Sequence, residues 1–217
     1  TKQIIPLQRN SSNNNMFSNS QLRGTGVALI TPFKKDKSID FAAMQRVIDF
    51  NIENGVNYFI ILGTTGEGPV LTKEEKQEVF GKAVEFVNGR VPLVAGMGGN
   101  NTMQVIEDMR QFAFRDQYCA FLSVTPYYNK PSQQGMIAHY DAIAAMSPLP
   151  IILYNVPGRT GVTLQPATVI QLANKHKNII GIKEAAGSMS ASFELLRDRP
   201  AGFLLLSGDD DLTFPQI

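Results

Sequence analysis

Short apolar runs punctuate the chain from Gly26 onward: Val27 to Ile30, Tyr58 to Leu62, Pro92 to Ala95, Ala120 to Val124, Ile151 to Tyr154, Ile179 to Ile182, and Phe203 to Leu206. They recur roughly every 30 residues, the length of one strand–helix unit. Within each run apolar side chains occupy successive positions instead of alternating with polar ones, which predicts parallel strands covered on both faces. Helical patterns fill the intervals. Asp40 is placed to cap a helix whose Phe41, Met44, Val47, Ile48 and Ile52 share one face, with Gly55 just past its end. Thr72 and Glu75 have capping-box spacing ahead of Val79, Phe80, Ala83 and Val84, with Gly89 as the stop. Thr102 precedes Val105, Ile106, Met109, Phe112 and Ala113, and Pro166 suits the first turn of a helix carrying Val169, Ile170 and Ala173. Strands alternating with helices in this way predict an α/β fold.

Two α/β architectures compete. A doubly wound open sheet is marked by a Gly-x-Gly-x-x-Gly turn after its first strand, whereas here the first strand ends in Thr31-Pro32-Phe33. Residues with chemistry gather instead just after the second, fourth, fifth and sixth strands, as in a (βα)8 TIM barrel, whose site is built from loops at the C-terminal strand ends. Seven strands are visible, and an eighth with its helix needs about another 30 residues. The expectation is therefore a TIM barrel truncated after its seventh strand.

Composition narrows the function. A chain of 217 residues, 43% hydrophobic and 18% charged, has material for one large globular domain. Its net charge of +1 provides no field to gather nucleic acid or an anionic membrane surface, and no apolar run reaches the roughly 20 residues of a membrane span. The lone Cys119 has no disulfide partner, and with His139 and His176 it has no zinc-site spacing. A reducing, cytoplasmic setting without a protein-bound metal is expected. Residues 1–22, basic and acid-poor with the run Ser11 to Asn15, read as a disordered extension ahead of a catalytic domain over 23–217. That composition has something of a transit peptide, but no amphipathic helix repeats in it, and Met16 reads better as a native initiator.

Lys183 follows Ile179-Ile180-Gly181-Ile182, and strand alternation places it inward with Ile179 and Gly181. A buried ammonium is costly, so its pKa falls and the neutral amine becomes available to form a Schiff base. Taken alone, a strand-end lysine is as readily a solvated one. Tyr154, Tyr127 and Tyr128 bring phenols to two other strand ends. Thr64 and Thr65, between Gly63 and Gly66, offer hydroxyls and approachable backbone N–H groups to a small carboxylate, and Arg159 offers a planar fork to a second one. Each has a bland account as turn, packing or solvated charge. Together at one end of a barrel they form a class I aldolase set.

Five motifs carry a resemblance: Gly63-Thr64-Thr65-Gly66-Glu67, Val124-Thr125-Pro126-Tyr127-Tyr128-Asn129, Leu153-Tyr154-Asn155-Val156-Pro157-Gly158-Arg159-Thr160-Gly161, Gly181-Ile182-Lys183-Glu184-Ala185, and Leu206-Ser207-Gly208-Asp209-Asp210. In this order, from about Gly24 onward, they closely resemble the dihydrodipicolinate synthase family, relatives of N-acetylneuraminate lyase among the pyruvate-dependent class I aldolases. The resemblance implies condensation of pyruvate with L-aspartate 4-semialdehyde, a step towards diaminopimelate and lysine. Lys183 would form the imine, with no other cofactor. Thr64, Tyr154 and Tyr128 match the family's proton relay, Tyr128 being lent across a dimer interface within a homotetramer. Thr65, with Gly63 and Gly66, would hold the pyruvate carboxylate. Arg159 would bind the semialdehyde carboxylate, which separates this chain from the lyase and the keto-deoxy-sugar aldolases.

Two departures stand beside the resemblance. The family's eighth strand and C-terminal helical domain have no counterpart, so a non-catalytic fragment is one alternative, and a pyruvate aldolase with another aldehyde is the other. Asn100 and Tyr127 match the family's lysine feedback site, but Gln104 stands where sensitive members often carry Glu, and Lys73 and Lys76 stand where some carry His. An inhibitor's ammonium then loses a carboxylate and meets positive charge, so weak or absent inhibition by lysine is expected.

Overall fold

The computed structural model of the chain describes residues 19–216, with side chains from Gln21 onward. Its strands are β1 (Gly26–Ala28), β2 (Tyr58–Ile61), β3 (Leu93–Gly96), β4 (Ala120–Val124), β5 (Ile151–Asn155), β6 (Ile179–Glu184) and β7 (Leu204–Ser207). They form one seven-stranded sheet in sequence order, each neighbour pair parallel. The expected segments are all present, shifted by a residue or two at their ends, which is where hydrogen bonding and not hydrophobicity sets the boundary.

The helices are α1 (Phe41–Glu53), α2 (Lys73–Val87), α3 (Thr102–Arg110), α4 (Gln133–Met146), the single turn α5 (Pro157–Thr160), α6 (Pro166–Lys175), α7 (Met189–Asp198) and the short α8 (Thr213–Gln216). The predicted caps form: Asp40 accepts from the Ala43 N–H, and Thr72 and Glu75 close a reciprocal capping box. At α3 the cap is Asn101 and not Thr102, which is the first helical residue, and the helix ends at Arg110. Phe112 is therefore outside the helix, where it packs edge-on against Phe80, Phe114, Tyr118 and Phe121.

Two cores result from strands covered on both faces. Tyr58, Ile60, Val94, Ala120, Leu122, Ile152, Tyr154, Ile180 and Leu204 fill the concave side of the curled sheet, while Phe59, Ile61, Leu93, Phe121, Ile151, Leu153 and Ile182 pack outward against the helices. Leu22, on a 3-10 turn over Asn19–Leu22, is wholly buried in the inner core. Leu22, which the sequence pattern assigns to the extension, caps the sheet's inner face. The expected roles of Met16 and of the basic segment before it lie outside the described residues. No helix among the described residues is long and apolar enough to cross a membrane.

One outer-layer residue couples this packing to pH. His139 on α4 is buried, its Nδ1 is 2.8 Å from Thr102 Oγ1, and its Nε2 has no partner among the described residues. Burial lowers its pKa from 6.5 to about 4, so the folded chain holds it neutral where the unfolded chain binds a proton. Its stabilising contribution is complete above the unfolded value and is lost as pH falls towards 4, a loss of about 3 kcal/mol. In urea titrations at about pH 7 and pH 4.5, His139→Gln should lose less stability between the two than the parent does. Equal losses would show that His139 does not carry the effect.

Candidate active site

Lys183 lies near the C-terminal end of β6, paired in register with Tyr154 on β5 and Leu206 on β7. The lysine faces inward, as the alternation predicts, but Ile179 does not share its face. Ile151 pairs with Ile179 and Ile152 with Gly181, so Ile180 is an extra residue in the ladder. The bulge changes the phase, sending Ile180 into the inner core and Ile179 into the outer one. Beyond it, Lys183 Nζ sits 4.7 Å from the centre of the Tyr154 ring. Burial lowers the lysine's pKa below its usual 10.5, opposed by the charges of Asp209 and Asp210 just after β7. The amine is thus held half-buried, easier to deprotonate than a solvated lysine, against an aromatic face.

A cavity of about 620 Å³ opens at the same end of the sheet, with Gly63, Thr64, Tyr154, Val156, Arg159 and Thr160 on one part of its wall. Thr64 is on a 3-10 turn over Thr64–Gly66 that follows β2, and Arg159 is on α5 directly after β5. Lys73, Lys76, Gln104 and Tyr127 line another part of the same cavity. Asn100 stands beside them, its Nδ2 donating to the Tyr127 carbonyl at 3.1 Å. Lys73 donates to Gln111 and Gln104 to Asp108, each at 2.8 Å.

The other expected residues do not line the cavity. Thr65 is exposed on the turn beside Thr64. Gly66 is buried, its carbonyl accepts from Thr31 Oγ1 at 2.7 Å, and an added Cβ would stand 3.3 Å from the Leu29 carbonyl, so it fixes the turn on the end of β1. Tyr128 is 88% exposed at φ +70°. Leu62, Glu67 and Lys130 also have positive φ, so left-handed non-glycine backbone, a cost of order 1 kcal/mol each, concentrates in the loops flanking the cavity. Lys183 itself is not on the lining, although its Nζ lies over the ring of Tyr154, which is. Among the described residues no group of three or more His, Cys, Asp or Glu side chains is arranged to hold a metal ion.

Three residues with clear places in this site had no role in the sequence pattern. Gly208 is one: a Cβ there would lie 2.7 Å from Ala185 Cβ, 3.1 Å from Lys183 Cε and 3.2 Å from the Glu184 carbonyl. Its signal was the glycine inside Leu206-Ser207-Gly208-Asp209-Asp210. Gly208→Ala should therefore displace the Lys183 side chain and slow its modification by a carbonyl reagent about tenfold, measured by borohydride trapping; an unchanged rate in a folded variant would show that the lysine does not need that space. Asn155 and Glu184 are the other two. They follow Tyr154 and Lys183 on the outer face and are 1% and 2% exposed. Asn155 Nδ2 donates to both Glu184 carboxylate oxygens at 3.0 Å, and the Ala186 N–H donates to Oε1 at 2.8 Å. Burial raises the Glu184 pKa above 4.5, while these donors favour its ionised form.

Residues 21–217 match the Dihydrodipicolinate synthetase family. The 4-hydroxy-tetrahydrodipicolinate synthase of Flavobacterium psychrophilum is 50% identical over 194 residues, covering 89% of this chain and 66% of the relative. That of Parabacteroides distasonis is 48% identical over 194 residues, covering 89% and 65%. The chain therefore spans just under two thirds of the length of these relatives. Among solved structures, the chloride-inhibited dihydrodipicolinate synthase from Acinetobacter baumannii complexed with pyruvate is 41% identical, with a TM-score of 0.84 over 89% of this chain and 66% of that one. The seven parallel strands are thus the matched part of a TIM barrel, and agreement at this level in both sequence and fold shows that the chain belongs to the dihydrodipicolinate synthetase family.

Proposed function

We propose that this chain carries the site for condensing pyruvate with L-aspartate 4-semialdehyde to 4-hydroxy-tetrahydrodipicolinate, acting in the cytoplasm through an imine on Lys183. The observation that carries this is the half-buried Lys183, its amine over the Tyr154 ring and its pKa lowered, at the end of a barrel strand. The neutral amine attacks the ketone carbon of pyruvate, a C–N bond forms, and the carbonyl oxygen takes two protons and leaves as water. Tyr154 and Thr64 relay protons, completed by a Tyr128 from a neighbouring subunit of a dimer within the tetramer. The exposure of Tyr128 supports that loan.

Loss of a methyl proton from the imine gives an enamine, whose carbon bonds to the aldehyde carbon while the aldehyde oxygen is protonated. The semialdehyde's amino group then attacks the imine carbon, closes the ring and releases Lys183. Thr65 and the Gly63 to Gly66 turn hold the pyruvate carboxylate, and Arg159 holds that of the semialdehyde. Arg159 on the cavity wall favours this acceptor over sugar-derived aldehydes. The test is to supply pyruvate with either acceptor and identify the product. Cyclised product with aspartate semialdehyde supports the assignment, whereas turnover only with sugar-derived acceptors points to another pyruvate aldolase.

Inhibition by free lysine should be weak. Lys73 and Lys76 face the cavity, Gln104 provides an amide in place of a carboxylate, and Asp108, the single acid on the lining, already accepts from Gln104. An inhibition constant matching that of sensitive bacterial enzymes would contradict this.

A further inference from the structure

Asn155 and Glu184 are not on the cavity wall, yet they join the elements that carry its chemistry. They are paired in register immediately after the Tyr154 and Lys183 pair. One buried amide makes every link: Nδ2 donates to both Glu184 oxygens on β6 at 3.0 Å and to the Leu164 carbonyl at 3.3 Å, and Oδ1 accepts from the Leu164 N–H at 2.9 Å. Leu164 lies in the segment that leaves α5, so the turn bearing Arg159 is tied to the same amide. The backbone adds to the knot: the Asn155 carbonyl accepts from Ala185 N–H at 2.9 Å and the Glu184 carbonyl from Gly208 N–H at 2.7 Å. The bulge at Ile180 makes such a clasp necessary, because a ladder with an extra residue has an alternative register in which Lys183 would face outward.

We propose that the buried Asn155–Glu184 pair is a positioning element, holding Lys183 against Tyr154 and fixing the Arg159 turn beside them. It rests on the assignment of Lys183 as the imine-forming residue. A carboxylate and a primary amide suit the task because one N–H of the amide is shared by the carboxylate oxygens and the other is free for the Leu164 carbonyl, while the Ala186 N–H adds a donor to Oε1, which favours this alignment of β5 and β6 at a place closed to water.

The experiment measures borohydride trapping of pyruvate on Lys183 in the parent chain, Asn155→Ala, Glu184→Gln and the double variant, with circular dichroism to count folded molecules. A positioning role slows trapping per folded molecule about 10- to 100-fold in Asn155→Ala at saturating pyruvate, while the half-saturating concentration stays within about twofold. A merely structural role lowers the amplitude and leaves the rate. Because the two residues act as one unit, the double variant should be no more than about threefold slower than Asn155→Ala alone. Glu184→Gln keeps the size of the side chain and supplies the same reading should Asn155→Ala fail to fold. Folded variants trapping at the parent rate, or single effects that multiply in the double variant, overturn the proposal while Lys183 keeps its role. A folded parent that traps no pyruvate overturns the Lys183 assignment first and this proposal with it.

Discussion

Replacing Lys183 with alanine should abolish condensation, lowering kcat by at least about 10⁴-fold, since the imine is then without its strand-end amine beside Tyr154. Among the described residues Lys183 is the only lysine within a strand, and its surroundings disfavour its charge. With the folded pKa lowered, charged Lys183 opposes folding at pH below that value, and the opposition fades as pH rises through the unfolded value near 10.5. Lys183→Ala should therefore stay folded at neutral pH while losing activity. Lys183→Arg should be equally inactive, because a guanidinium retains charge but does not form the imine. Steady-state rates with pyruvate and aspartate semialdehyde check both, and appreciable activity in either would remove the lysine from the reaction.

Tyr154→Phe is expected to have the next largest effect, a loss of about 10²- to 10³-fold in kcat with stability changed by less than about 1 kcal/mol. The substitution separates two contributions of one side chain. The ring, in the inner core and 4.7 Å from Lys183 Nζ, remains, so the amine keeps its aromatic neighbour. The hydroxyl is lost, and with it the group best placed to pass protons as the pyruvate oxygen leaves. Initial rates combined with thermal melts test this. A variant near parental activity would reduce Tyr154 to packing, and one that fails to fold would move its importance from chemistry to the core.

The barrel-type sheet was legible because parallel strands buried on both faces leave continuous apolar runs, as at Tyr58 to Leu62 and Ile151 to Tyr154. Helix α4 was harder to see. Met136, Ile137, His139, Tyr140, Ile143 and Ala144 bury several sides of it, so no single stripe stands out. The inward turn of Lys183 was foreseen with the wrong company, since a bulge is written in hydrogen bonds and not in hydrophobicity. At the site, Thr64, Tyr154 and Arg159 were legible as chemistry at strand ends, and the structure brings them to one cavity. Gly208, Asn155 and Glu184 were not, because their meaning depends on distances across neighbouring strands: a Cβ that would reach Lys183 Cε, and an amide that reaches both oxygens of a carboxylate. Tyr128 shows the opposite limit, a residue whose proposed work lies outside its own chain's cavity.

The central claim is the covalent bond between Lys183 and pyruvate. The most direct measurement incubates the folded chain with pyruvate and borohydride, then maps the digested protein by mass spectrometry. The account predicts a single added group, with the mass of pyruvic acid less one oxygen atom, on the peptide containing Lys183 and absent from Lys183→Ala. A folded chain with no adduct, or with the adduct on another lysine such as Lys73 or Lys76, would contradict it.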